Sequence, residues 1–259
     1  MEFHERIREK SPLIHYIANI VTVNDCANIL LALGARPTMA HHPLEVEEIA
    51  AAADALVLNL GATECLEAME RAGRAARRAG VPIVLDPVGA SGAAFRREQA
   101  LHLIEAVKPT LIRGNASELL ALAQNRQTRM GVDACENPVQ SADEGQELLR
   151  QLEAYARRTG SIVVASGATD YITDGQRTES ITGGSALMKY VTGTGCMSSG
   201  LLAAFLAAEP SIAAVSEGIR FLDRCAEKAE ARTRELQGGT MTFRQQLIDE
   251  IAVQCVMAP

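Results

Sequence analysis

The stretch ALVLNLGATECLEAMERAGRAARRAGVPIVLDP, Ala55 to Pro87, decides the architecture. ALVLNLG is a short run that is apolar at nearly every position, without the alternation of a strand wetted on one side. A strand of that kind is covered on both faces. ECLEAMERAGRAARRAG follows as a long amphipathic helix stopped by Gly80, and VPIVLDP is a second apolar strand. Strand, helix and strand in this order form the crossover unit of a parallel sheet.

The same alternation runs outward in both directions. Upstream, PLIHYI reads as a strand, NDCANILLALGA as a helix closed by Gly34, RPTMA as a strand, and Pro43 through Ala51 as a helix. Downstream, REQALHLIEAVK is a helix, PTLIRGN a strand, and ASELLALAQ a helix with Glu118 in its first turn. EGQELLRQLEAYARRTG is again a helix and SIVVAS a strand, while NRQTRMGVDACENPVQSADE before them lacks periodicity and reads as an exposed excursion. DYITDGQRTESI carries two alternating runs around Asp174-Gly175, a hairpin signal. The C-terminal third is Ala-rich helix from Cys196 to about Glu235, broken at Glu209-Pro210, with a last helix near Thr242–Val253. No repeat, low-complexity tract or linker interrupts this order. Residues 1–259 are expected to form a single α/β domain with a mostly parallel central sheet and helices on both faces.

Composition agrees and excludes several functions. Apolar residues make up 47% but aromatics only 3%, with no Trp, so the core is built from Ala, Leu, Val and Ile. That suits helices packed closely on a parallel sheet. A net charge of −7 excludes the basic face a nucleic-acid partner needs. A polyanion must then be held locally, by backbone amides, a metal or a few Arg and Lys side chains. MEFHERIREKSP lacks the apolar segment of a signal peptide, and GLLAAFLAA falls short of the ~18 residues of a membrane span. The expectation is a cytoplasmic protein with no membrane partner. Its six cysteines (Cys26, Cys65, Cys135, Cys196, Cys225 and Cys255) show no CxxC or zinc spacing and fit reduced thiols. His41 and His42 are adjacent and read as loop residues rather than metal ligands.

Chemistry is concentrated at the predicted strand ends. In VTGTGCMSSGLLAAF, Val191 to Phe205, Gly193 and Gly195 allow a sharp turn into a helix whose first amides face outward. Such a turn binds anions, although it is equally the ordinary entry of a glycine-rich helix. A thiol at Cys196, beside that helix terminus, is expected to ionise below the ~8.5 of a free cysteine. A Walker A loop is absent, and GxGxxG fails because Ser198 stands where its third glycine belongs. LDPVG puts Asp86 at the end of a strand, where a carboxylate can hold Mg²⁺ through water or simply open an Asp-Pro turn. LIRGNASE brings Arg113 and Glu118 to another strand end; Asn115 or Ser117 can cap the helix there. Ser166-Gly167 adds a polar lip, and Asn19 follows the first strand with no evident helix start of its own.

These stretches, in this order, resemble the hydroxyethylthiazole kinase family of the ribokinase-like superfamily. The stretches that carry the likeness are HYIANIVTVNDCANILLALGARPTM, LVLNLGA, PIVLDPVGA, PTLIRGNASE, GVDA, ASGATDYITDG and VTGTGCMSSGLLAAF, spanning roughly residues 13 to 205. NDCAN and the Gly-Cys pair in place of the superfamily's usual Gly-Asp are its specific marks. The resemblance implies a three-layer α/β/α fold. It also implies ATP- and Mg²⁺-dependent phosphorylation of the primary alcohol of 4-methyl-5-(2-hydroxyethyl)thiazole, in thiamine salvage, by a homotrimer with its active site at a subunit boundary. Carried over by motif, Met39, Asn19, Val21, Gly61, Thr192 and the Gly193 backbone would surround the thiazole. Arg113 and Ser166 would contact ATP, Asp86 and Glu118 would organise Mg²⁺, and Cys196 would take the place of the general base. Two departures stand out: Ser166 replaces the usual Thr, and His41-His42 follow Met39 where the family more often has Ala-Asp. Hydroxymethylpyrimidine kinase and nicotinamide-nucleotide-hydrate dehydratase are rival readings that NDCAN and RPTM oppose. A non-catalytic thiazole or nucleotide sensor is a third, opposed by intact Asp86, Arg113 and Glu118.

Overall fold

The computed structural model describes residues 2–125 and 142–257. The elements follow in chain order as α1 (Phe3–Lys10), β1 (Leu13–Ile17), α2 (Val23–Leu33), β2 (Arg36–Thr38), α3 (Val46–Ala52), β3 (Ala55–Asn59) and α4 (Leu66–Ala79). Then come β4 (Ile83–Asp86), α5 (Ala94–Val107), β5 (Leu111–Asn115), α6 (Ala116–Gln124), α7 (Ala142–Thr159) and β6 (Ile162–Ser166). The chain closes with β7 (Thr169–Thr173), β8 (Thr178–Thr182), α8 (Thr194–Ala208), α9 (Ile212–Glu235) and α10 (Thr240–Gln254). The excursion, with GVDA and Cys135 in it, lies outside the described residues.

One eight-stranded sheet has the order β2-β1-β3-β4-β5-β6-β7-β8, parallel from β2 through β6 and antiparallel at β7 and β8. The hairpin read around Asp174-Gly175 joins the last two strands through a four-residue loop. The Asp174 carboxylate accepts from the Gln176 and Arg177 amides, and Gly175 takes the left-handed conformation at φ 85°.

Strand side chains alternate between two cores. Ile14 and Tyr16, Val57, Val84, Leu111 and Val164 face α2, α8, α9 and α10. Ile17, Leu56 and Leu58, Leu85, Ile112 and Val163 face the layer that contains α4 to α7. The result is three layers, α/β/α. Helix α8 is buried on every side from Cys196 to Ala207, which is why its sequence shows no polar face. Its approach to the sheet depends on Gly200, where a Cβ would stand 3.1 Å from the Tyr16 ring.

The charged N-terminus, which carries no apolar periodicity, nevertheless forms α1. It buries only Ile7, and its basic residues serve the far end of α8. Arg6 donates to the Ala208 carbonyl and pairs with Glu209, and Lys10 donates to the Ala207 carbonyl. Cations at a helix C-terminus satisfy carbonyls that have no partner within the helix.

Candidate active site

On the α8 side of the sheet the four neighbouring strands β3 to β6 are apolar until their C-terminal ends, where they become polar. Val57 gives way to Asn59, Val84 to Asp86, Leu111 to Arg113 and Val164 to Ser166, always two residues on and therefore on the same face. The register sets Asn59 beside Asp86 and Asn115 beside Ser166. The N-terminus of α8 comes down onto this polar rim. Its cap residue Gly193 has φ 89°, and no side chain caps the helix there. A Cβ on Gly193 would stand 2.5 Å from the Thr22 methyl carbon, so both the dihedral and the space require glycine. At Gly195 a Cβ would fall 2.7 Å from Arg113 Nη1: the guanidinium lies across the glycine turn.

Asp86 is 2% exposed, and its Oδ2 accepts from Asn59 Nδ2 at 3.1 Å and Ser199 Oγ at 2.8 Å. Burial raises its pKa; the Arg113 charge and these two hydrogen bonds oppose the rise. Glu118 forms a capping box with Asn115, so Asn115 rather than Ser117 is the cap. Its two oxygens accept from the Gly89 amide at 2.8 Å and the Asn115 amide at 3.0 Å. Burial, and after it the charge of Asp86, pushes the Glu118 carboxyl up to about 7. Capping and a place at the site thus coexist in one residue. Two buried carboxylates, Asp86 and a Glu118 raised by the Asp86 charge, with one guanidinium nearby, fit a divalent cation, which would offset that charge. Among the described residues no three His, Cys, Asp or Glu side chains form a metal cage. A Mg²⁺ held by one or two carboxylates, with phosphate oxygens and water completing its shell, needs none.

Cys196 contradicts the expectation of a lowered pKa. It is 8% exposed, and its thiol is pushed up to about 11 by burial first and the Asp86 charge second. Hydrogen bonds from Thr22 and Asn59, and the Arg113 charge, offset only part of this. The helix terminus alone pointed the other way, because sequence did not reveal how deeply the sulfur is enclosed. Asn59 Nδ2 reaches Sγ at 3.2 Å and Asn19 Nδ2 at 3.6 Å. The Tyr16 hydroxyl donates to the Cys196 carbonyl at 2.9 Å, pinning the first turn of α8 to β1.

Asn19 starts no helix of its own, as read; it holds the turn that leads to α2, whose N-cap is Thr22. Asn19 Oδ1 accepts from the Val21 and Thr22 amides, and its carbonyl accepts from Val23, the first residue of α2. Gly61 donates to Asn59 Oδ1, and a Cβ there would collide with that oxygen and with Asn19. Ser166 Oγ donates to the Gly114 carbonyl at 3.2 Å, across the β5–β6 edge. Met39 is half-buried against the α8-side core, just beyond β2, while Thr192 and Val21 are exposed. His41 and His42 are exposed loop residues, as read. The structure therefore gathers Asn19, Gly61, Asp86, Arg113, Glu118, Gly193 and Cys196 around the start of α8.

Asn59, Ser199 and Tyr16 went unread. Asn59 had a signal, as the one polar residue inside ALVLNLG. Ser199 and Tyr16 had none, because a small hydroxyl in a buried helix and a strand aromatic both look like packing.

A sequence profile of the hydroxyethylthiazole kinase family matches residues 4–255. The chain is 43% identical over 248 residues to the hydroxyethylthiazole kinase of Thermoanaerobacter pseudethanolicus, covering 95% of this chain and 90% of that one. It is 41% identical to a bifunctional thiamine biosynthesis protein of Symbiobacterium thermophilum, of whose length it spans about half, 54%. The structure of a hydroxyethylthiazole kinase protein from Pyrococcus horikoshii superposes with a TM-score of 0.84 at 35% identity, covering 97% of this chain and 91% of that one.

Proposed function

The chain belongs to the hydroxyethylthiazole kinase family, and from that premise we propose that it transfers the γ-phosphoryl group of ATP to the primary alcohol of 4-methyl-5-(2-hydroxyethyl)thiazole. The observation that carries this reading is the meeting of the uncapped N-terminus of α8 with Arg113, Asp86 and Glu118 on one sheet rim. A phosphoryl group in transit bears charge on its equatorial oxygens, and catalysis is mostly positioning and charge stabilisation. The amides after Gly193 face that charge, and Arg113 lies across the same turn. Asp86 and Glu118 would hold Mg²⁺, which when bound neutralises phosphate charge. Ser166 borders the nucleotide side, and Asn19, Val21, Met39, Gly61 and Thr192 enclose the thiazole.

Cys196 is the weak base of this scheme. With its thiol near 11 only a small thiolate fraction is present at neutral pH; that form accepts the alcohol's proton, which suffices for a reaction whose alcohol gives up its proton late. The active unit is a homotrimer with the thiazole pocket at a subunit boundary. In support, Ile20 and Val21 stand 84% and 71% exposed directly beside Asn19, an apolar pair without cover in one chain. The decisive experiment is incubation with ATP, Mg²⁺ and the thiazole alcohol, with the thiazole phosphate followed by phosphorus NMR. Stoichiometric ADP and thiazole phosphate are expected, and Asp86→Ala lowers turnover at least a hundredfold. No phosphate ester from metal-replete protein overturns the assignment.

A further inference from the structure

Asn59 is 0% exposed and spends all of its hydrogen-bonding capacity inside the site. We propose that Asn59, backed by Asn19, is a positioning residue that locks the Cys196 sulfur as a hydrogen-bond acceptor and holds it apart from Asp86. The proposal rests on the kinase reading for its catalytic consequence, though not for its geometry.

The direction of both amides follows from backbone donors that cannot reverse. The Gly61 N–H points at one end of the Asn59 amide, at 2.9 Å, so that end is the oxygen. The Val21 and Thr22 N–H groups point at one end of the Asn19 amide, at 3.0 and 3.2 Å, so that end is its oxygen. Asn19 Nδ2 then donates to Asn59 Oδ1 at 3.1 Å and faces Sγ, and Asn59 Nδ2 donates to both Asp86 Oδ2 and Sγ. Polarity thus runs one way, from three backbone amides through two side chains to the sulfur.

A sulfur that receives these donors presents its own hydrogen elsewhere, and its thiolate is the form they stabilise. The same NH₂ group separates two groups that repel when ionised, the carboxylate and the thiolate. A carboxylate at position 59 would lose both donors, and a hydrocarbon would remove all four bonds, leaving Asp86 Oδ2 with Ser199 and the sulfur with Asn19 at 3.6 Å. The other charged or titratable groups around the sulfur are Arg113 from β5, Tyr16 from β1 and Cys26 from α2. The Tyr16 hydroxyl is committed to the Cys196 carbonyl, and the Thr22 hydroxyl is the other neutral partner at the sulfur beside the two amides.

The test compares wild type with Asn59→Leu, similar in shape and without donors. Asn59→Asp, which keeps the acceptor for Gly61 and Asn19, is the second variant should the first fail to fold. Alkylation of Cys196 by iodoacetamide, followed by peptide mass spectrometry between pH 8 and 10, reads the thiolate directly and needs no activity. The expected rate at a given pH falls about tenfold in either variant, the loss of one charge-assisted bond. Turnover falls about tenfold or more while KM for the thiazole alcohol stays within threefold, and in a Cys196→Ala background the same substitution costs less than threefold. An unchanged or faster alkylation overturns the proposal, as does a full loss of turnover that persists without Cys196. Wild-type protein that alkylates as expected but phosphorylates nothing would refute the kinase reading and leave the geometric claim standing.

Discussion

The Cys196 sulfur and the Glu118 carboxyl are both held by hydrogen bonds that favour charge, inside surroundings that oppose it. For Cys196 the opposition dominates at neutral pH, so the thiolate becomes available only as pH rises. If the thiolate takes the proton, turnover climbs from pH 7 to 9.5 by up to tenfold per unit, and Cys196→Ser flattens the climb. Equal pH profiles in the two enzymes would reduce Cys196 to a packing residue. Glu118 has a native pKa of about 7, above its unfolded value near 4.5. The native state therefore keeps a proton that the unfolded chain has lost. The stability this supplies is complete below about pH 4.5 and disappears as pH rises through about 7. In metal-free buffer the melting temperature falls by several degrees between pH 5 and 8 on this account. Glu118→Gln flattens that slope at some cost in overall stability, because its NH₂ cannot accept from Gly89 or Asn115. Added Mg²⁺ at pH 8 raises the melting temperature of wild type and not of the variant; an equal rise in both would remove Glu118 from the cation site.

Helix α8 decides more than any other element, and its two first glycines have different jobs. Gly193 combines a positive φ with a fixed neighbour, Thr22, on the start of α2. Gly193→Ala is strained in both respects and lowers stability by about 1–3 kcal/mol, seen as a lower melting temperature. Gly195 is confronted only by the mobile end of Arg113. Gly195→Ala therefore leaves the melting temperature within about 1 °C while displacing the guanidinium, and KM for ATP rises about tenfold. A fall in melting temperature of the same size in both variants would make the turn purely structural. Much of this element could be read in advance. GTGC announced the helix start and the break at Glu209-Pro210 announced its end, because glycine and proline act locally on the backbone. Its burial on all sides was open to reading in GLLAAFLAA. That Tyr16 hydrogen-bonds its first turn, and that α1 caps its last, was not, since those partners come from sequence positions far away.

At the scale of the molecule, one sheet organises all the described elements, and the polar rim lies along a single edge of it. No helix among the described residues is long and apolar enough to cross a membrane, and all five described cysteines are free and buried. The exposed Ile20 and Val21 beside Asn19 belong to this scale, because the proposed trimer would cover them. Light scattering is expected to give three times the 27.7 kDa of one chain, and Ile20→Glu with Val21→Glu to give monomers with a KM for the thiazole alcohol raised at least tenfold. A monomeric wild type with full activity would refute the shared pocket. By itself the sequence determined the order of strands and helices after α1, the parallel sheet and the polar strand ends. Those depend on periodicity and on local backbone signals, which each segment carries alone. The tertiary structure alone decided that Asn59 joins Asp86 to Cys196, that Arg113 crosses Gly195, and that the thiol is raised rather than lowered. Register, burial and the mutual repulsion of charges are properties of segments brought together, and no single segment contains them.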